Sequence, residues 1–192
     1  MIEAAQFDSM IRLRRSVKPE QFVPGKKIPD EWILNMLENA NTAPSHKLTE
    51  PWRFTIFSGK GLERLAHFQS DLYKKNAGEK FNQVKFDKLQ QTPLLCSHII
   101  AIGMKRNSVV PEVEEIASVA CAVENLWLST SAYGVGGYWS TGGVTYYPEA
   151  KSFFGLGELD KLLGFFFLGF VQVPSVKSNR KPVTDKISWI RE

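Results

Sequence analysis

Three stretches carry side chains that could do chemistry. The first is Arg14-Arg15-Ser16-Val17-Lys18, three cations around one hydroxyl. Arginine forms bidentate hydrogen bonds to phosphate and serine adds a further donor, so the group suits a bound anion. A solvated basic turn competes with that reading and, on this motif alone, is the better one. The second stretch is TAPSHKLTEPWRF, Thr42–Phe54. It places Thr42, Pro44, Ser45, His46, Lys47, Thr49 and Glu50 between an apolar helix and a strand. Loops held between rigid elements are common binding sites. Ser45 and Thr49 could equally serve turn backbone. His46 has no second histidine or carboxylate at metal spacing, which argues against a metal centre. The third is the glycine-rich run Gly134–Gly143 with Trp139, Ser140, Thr141 and Gly142. It lacks the G-x-G-x-x-G of a dinucleotide fold, but its glycines could let backbone approach a flat ligand. A plain loop is the alternative. A further basic group, Lys177, Arg180 and Lys181, reads as a solvated face.

The elements that must position these groups follow from periodicity. Ala5, Phe7, Met10, Ile11 and Leu13 suit a short amphipathic helix over 3–13. Ile28-Pro29-Asp30 opens a second helix, with Trp32, Ile33, Met36, Leu37 and Ala40 on one stripe as far as Thr42. Trp52–Ser58 alternates and is rich in β-formers, so it is a strand. Leu62, Leu65, Ala66, Phe68, Leu72 and Tyr73 give a third helix. Lys74–Gln91 reads as a mobile, partly helical excursion. Leu94–Met104 reads as a buried strand. Pro111–Tyr133 is a helix with acids in its first turn and apolar residues nearly all round, as befits a core helix or a dimer seam. Tyr138–Thr141 suits a short strand, Pro148–Phe154 a short helix and Leu162–Phe170 a buried strand. This order argues α/β or α+β with one main sheet.

The 192 residues suggest one domain over 1–192, with an arm from about 172 to 192 that docks through Trp189 and Ile190. The formal net charge is +4, spread along the chain without the dense basic run of a nucleic-acid binder. No secretory signal and no membrane-spanning segment is legible. Cys96 and Cys121 each lie in apolar runs, which reads as two buried free thiols in a reducing, cytoplasmic setting. His67 and His98 fall in element patterns and read as structural.

Taken in order, the motifs resemble the FMN-dependent nitroreductase family, in particular its short single-domain members. The resemblance rests on RRSVK at 14–18, NTAPSHKLTEPWRF at 41–54, ENLWLSTSAYGVGGYW at 124–139, LGF at 168–170 and NRKP at 179–182. It implies an α+β sandwich, a mostly antiparallel sheet flanked by helices, in an intertwined homodimer with FMN at the interface. By motif position, Arg14 and Ser16 would hold the FMN phosphate and ribityl chain, with Arg15 contributing through its backbone. Lys18 would approach the pyrimidine end of the flavin. Pro44, Ser45 and His46, with Thr42 beside them, would line the flavin from the partner chain. Trp139, Ser140, Thr141 and Gly142 would pass close to the ring, and Arg180 would complete the phosphate clamp. Leu48 and Glu50 depart from the family's usual Asn and Gln.

The implied activity is hydride transfer from NAD(P)H through FMN to a small-molecule acceptor such as a nitroaromatic or quinone, with no catalytic side chain required. The alternatives are a non-catalytic flavin- or partner-binding protein, or a related enzyme doing dehalogenation, flavin fragmentation or dehydrogenation.

Overall fold

The computed structural model describes residues 3–172 and 180–191. Among the described residues, five α-helices and four strands position the three motifs. Helix α1 spans Ala4–Leu13 and α2 spans Asp30–Asn41. Strand β1 is Trp52–Ser58, followed by α3, Lys60–Ala77, and α4, Gln83–Gln91. Strand β2 is His98–Met104, α5 is Glu112–Ala132, β3 is Val135–Ser140 and β4 is Lys161–Phe170.

The four strands form one sheet in the order β1-β2-β4-β3, and every neighbouring pair is antiparallel. Strands β2 and β4 sit at the centre and are buried on both faces, so they read as unbroken apolar runs. On one face Ile99, Ala101, Leu162, Phe165 and Phe167 pack with Leu62, Leu65 and Leu72 of α3. On the other, Ile100, Ile102, Met104, Phe166 and Leu168 pack with Ile33, Met36 and Ala40 of α2 and Val119, Ala122, Val123 and Leu126 of α5. The two helical layers thus bury opposite sides of the same two strands.

A register shift between Ile102 and Gly103 breaks the β2–β4 ladder opposite Gly164. It explains how Leu162 and Phe165, three apart, share a face. Gly164 has φ of 124°, and a Cβ there would lie 2.3 Å from the Ser140 carbonyl oxygen. The missing side chain lets the end of β3 press against β4.

His98 is structural. Its Nδ1 bonds Ser97 Oγ at 2.9 Å and its Nε2 bonds Asp30 Oδ1 at 3.0 Å. The Ile28 N–H donates to Ser97 Oγ at 2.7 Å. This chain of bonds ties the start of α2 to β2. His67 is exposed on α3.

Several expectations need correction. Strand β2 begins at His98, because Pro93 starts a 3-10 turn over Thr92–Leu95 that leaves Leu94 exposed. The Lys74–Gln91 excursion is largely helical: α3 continues to Ala77 and α4 covers Gln83–Gln91, capped by the Asn82 side chain accepting from the Lys85 N–H. Helix α5 is not covered on every side within one chain, since Val113, Ile116 and Cys121 are exposed. Cys121 is therefore not a buried thiol, whereas Cys96 is. Of the expected arm, 173–179, including Lys177, lies outside the described residues, and Trp189 and Ile190 are exposed. Among the described residues no helix is long and apolar enough to cross a membrane.

Candidate functional site

The segment after α1 runs along the outer edge of β3. Ser16 pairs with Gly137 in a parallel bridge, and the Val17 N–H donates to the Gly137 carbonyl at 3.0 Å. The basic motif and the glycine-rich motif therefore share one sheet edge.

Arg14 is held there by two contacts. Its Nε lies 3.3 Å from Glu124 Oε1, and its guanidinium carbon sits 4.4 Å from the centre of the Trp127 ring. Trp127 is itself fixed, its Nε1 shared between the Arg15 and Gly137 carbonyls, each at 3.1 Å. The Arg14 side chain is 15% exposed, and its Nη1 is buried without a hydrogen-bond partner. Such an orphan donor is costly, and an acceptor brought by a ligand would satisfy it. Arg15 instead turns back, its Nη1 donating to the Arg12 and Arg14 carbonyls at 2.6 and 2.7 Å. Ser16 and Lys18 are exposed beside the same edge.

Trp139 anchors the end of β3, its Nε1 donating to the Leu163 carbonyl at 3.2 Å. Beyond it Thr141 and Gly142 are exposed, and Gly142 has open space where a Cβ would stand. The Gly142 carbonyl accepts from Thr145 Oγ1 at 2.8 Å, which fixes the turn. Ser140, Gly142 and Gly143 form one wall of a cleft of about 200 Å³. Gln69, Lys85, Lys88 and Thr92 from α3 and the α4 region form the other, with Phe165 and Phe167 between. Gln69 is 4% exposed and its Nε2 has no partner, which it shares among the described residues with Arg14 Nη1 and with Thr49 Oγ1, whose hydroxyl therefore does not serve turn backbone. Lys88 pairs with Glu20 at 3.7 Å, and Lys85 Nζ sits 4.6 Å from the Tyr73 ring centre.

The backbone that follows the Thr42–His46 turn is strained. Lys47, Leu48 and Glu50 have φ of 52°, 53° and 42°, a left-handed region that residues with side chains seldom adopt. Bonds around it hold the shape. Ser45 Oγ accepts the Glu50 N–H at 3.2 Å, and Trp52 Nε1 donates to Asn41 Oδ1 at 2.9 Å. Thr42 Oγ1 donates to the Asn39 carbonyl at 2.7 Å. His46 Nδ1 contacts the Glu114 carboxylate in the first turn of α5, and Lys47 Nζ reaches the Val109 carbonyl at 3.4 Å. Pro44 is exposed.

Within one chain, the structure joins Arg14–Lys18 directly to Trp139–Gly142, and reaches the Thr42–His46 turn only through α5. The turn meets α5 at both ends: His46 contacts Glu114, ten residues or about 15 Å of helix from the Glu124 that Arg14 meets, while Thr42 Oγ1 accepts from Asn125 Nδ2 at 3.4 Å, next to Glu124. Arg180 is exposed.

Gln69, Glu124 and Trp127 were not singled out as site residues from the sequence. Gln69 did carry a signal, since it falls on the buried stripe of α3 with Leu62, Leu65, Ala66 and Leu72. A polar residue on such a stripe needs a partner.

The nitroreductase family pattern matches residues 11–170. YdjA of Escherichia coli K12, whose name assigns it provisionally to the NAD(P)H nitroreductases, is 32% identical over 79% of this chain and 82% of its own. A nitroreductase-like protein from Bacillus cereus superposes with a TM-score of 0.83 at 22% identity, covering all of both chains. The FMN-dependent nitroreductase NfnB of Mycobacterium smegmatis, solved with NADPH, superposes with a TM-score of 0.77 at 19% identity, over 98% of this chain and all of its own. The Thr42–His46 turn, the basic edge and the glycine-rich run all lie inside the matched residues, and the chain belongs to the nitroreductase family.

Proposed function

We propose that the chain is an FMN-dependent oxidoreductase that takes hydride from NAD(P)H and reduces a small oxidised acceptor, a nitroaromatic or a quinone. The observation that carries this reading is the shared edge. Arg14 and Ser16, suited to phosphate, lie against the strand whose end, Trp139–Gly142, leaves open backbone suited to a flat ring. The residues fit the cofactor on two further counts. Arg14 Nη1 and Gln69 Nε2 are buried donors lacking acceptors, and FMN carries acceptors at its phosphate and along its pyrimidine edge. Bound FMN supplies the redox chemistry, accepting hydride from the reduced nicotinamide and passing electrons to the acceptor.

The chain's own residues bind and tune. Arg14, the backbone beside Arg15, and Ser16 hold the phosphate and ribityl end. Lys18 approaches the pyrimidine end, where a cation favours the negative charge of the reduced ring. Gln69 donates to the same end of the ring from inside the cleft. Trp139, Ser140, Thr141 and Gly142 shape the ring's bed and exclude water. Arg180 adds a cation to the phosphate. We assign Thr42, Pro44, Ser45 and His46 to the partner's flavin: Thr42 reaches Asn125 beside Glu124, but His46 meets α5 ten residues from the Glu124 that holds Arg14, which supports a homodimer in which each flavin is lined by both chains. The exposed apolar residues Val113 and Ile116 on α5 support the same seam.

The test is the absorbance spectrum of the purified protein under anaerobic conditions, before and after NADH and then NADPH. A flavin band that bleaches is expected, and an acceptor screen then follows. A colourless protein that takes up no added FMN overturns the reading. A flavin that neither nucleotide bleaches leaves binding without turnover.

A further inference from the structure

We infer that Glu124 and Trp127 are positioning residues that aim Arg14 at the phosphate of the flavin, an inference that rests on Arg14 being the phosphate ligand. A guanidinium on a long, flexible side chain has many orientations, and a ligand that must fix one of them loses affinity. Here the orientation is set beforehand. Glu124 takes Nε at 3.3 Å, and Trp127 takes one face of the plane at 4.4 Å. Those two contacts leave Nη1, buried and without an acceptor, as a donor still to be satisfied.

The aim is tied to the rest of the site. Glu124 and Trp127 are three apart on α5 and so project from one side of it. Trp127 Nε1 is shared between the carbonyls of Arg15 and Gly137, one on each side of the Ser16–Gly137 bridge. The indole therefore links the plane of the Arg14 guanidinium to the position of β3, whose far end carries Trp139 and Ser140. Phosphate end and ring end are set at a fixed separation before any cofactor arrives.

Glu124 is the decisive residue because its charge has the wrong sign for a phosphate site. A carboxylate near a phosphate repels it unless it works through the cation between them. At 49% exposed, its pairing with Arg14 is partly screened, so its effect comes through orientation more than through attraction.

The experiment compares FMN with riboflavin, which lacks the phosphate, by quenching of flavin fluorescence on the apoprotein. Glu124→Leu is expected to weaken FMN about tenfold and riboflavin less than about twofold. Glu124→Gln, which keeps an acceptor for Nε without the charge, is expected to fall between wild type and the leucine variant. Equal loss for both flavins would make Glu124 merely structural, including through the dimer seam, and would overturn the inference. Tighter FMN binding in Glu124→Leu would show that the carboxylate competes with the phosphate, and would also overturn it. Arg14→Ala separates the two levels. If it abolishes the preference for FMN while Glu124→Leu does not, the positioning role alone fails. If it leaves the preference intact, the phosphate assignment of Arg14 fails and the inference with it. If the leucine variant does not fold, an unchanged FMN-to-riboflavin ratio in Glu124→Ala, which removes the acceptor for Nε, overturns the inference in its place.

Discussion

Ser16 and Gly137 face each other across the outer edge of β3, and the pairing works because Gly137 has no side chain. A Cβ at Gly137 would lie 2.6 Å from Phe166 Cζ and 2.9 Å from its Cε1. Phe166 is fully buried in the centre of the sheet and has nowhere to go. Gly137→Ala is therefore expected to cost about 1–3 kcal/mol of stability, read by chemical denaturation. The strand must shift outward to relieve the clash, carrying the bridge with it, so flavin retention on gel filtration should fall as well. An alanine variant as stable as wild type would mean that the edge is softer than its packing implies.

Gln69 gives an effect of opposite sign on stability. Its buried Nε2 lacks a partner in the flavin-free chain, so it lowers stability there. Gln69→Leu is expected to leave the apoprotein unchanged or more stable by about 1 kcal/mol. The same change should weaken FMN binding several-fold, because the donor proposed for the ring's pyrimidine edge is gone. Thermal unfolding of the apoprotein and fluorescence titration with FMN check the two halves. A leucine variant that is less stable and binds FMN normally would make Gln69 a packing residue and the cleft irrelevant to the cofactor.

Much of this architecture is legible in the residues, and the gaps have physical causes. Strand β1 matches the expected Trp52–Ser58 because alternation and β-branched or aromatic residues agree there. The start of β2 differs because Leu94 and Leu95 extend an apolar run that periodicity alone does not divide, while Pro93 closes a turn. Cys121 was misplaced because α5 is apolar nearly all round. Pattern reports that a face is apolar, not whether this chain or another covers it. The strain at Lys47, Leu48 and Glu50 leaves no mark, since no glycine or asparagine occupies those positions. Arg14 and Ser16 were noticed for their chemistry, although on that motif alone a solvated basic turn is the better reading and the phosphate role is what the family resemblance implies. Glu124 was not noticed, because one acid within a helix reads as a solvent-facing residue until the arginine it holds is located.

The two cysteines should differ sharply in reactivity. Burial pushes the Cys96 thiol well up from its ordinary value, and the nearby Glu20 carboxylate adds to the shift. A thiol raised in the folded state stabilises the fold while both states stay protonated, below about pH 8.5. As pH rises past that point the unfolded chain ionises first, and this contribution is progressively lost. Alkylation at neutral pH followed by mass spectrometry is expected to spare Cys96. Cys121, exposed on α5 in the single chain, should react in any monomer and be shielded in the proposed dimer. Rapid modification of Cys96 at neutral pH would contradict its burial.

Cys121 shares the outer face of α5 with Val113, which is 69% exposed, and with Ile116. A helix this apolar does not leave such a face in water without a partner. Ile116→Lys places a charge in the proposed seam and is expected to shift the protein toward monomers, measured by sedimentation velocity across a dilution series. Flavin should be lost in step with the dimer, because His46 contacts Glu114 at one end of α5 while Arg14 contacts Glu124 ten residues away. A lysine monomer that stays folded and still binds FMN as tightly as wild type would show that one chain completes the site alone. That result would remove the Thr42–His46 turn from the flavin site, and the strained backbone that follows it would then need another role.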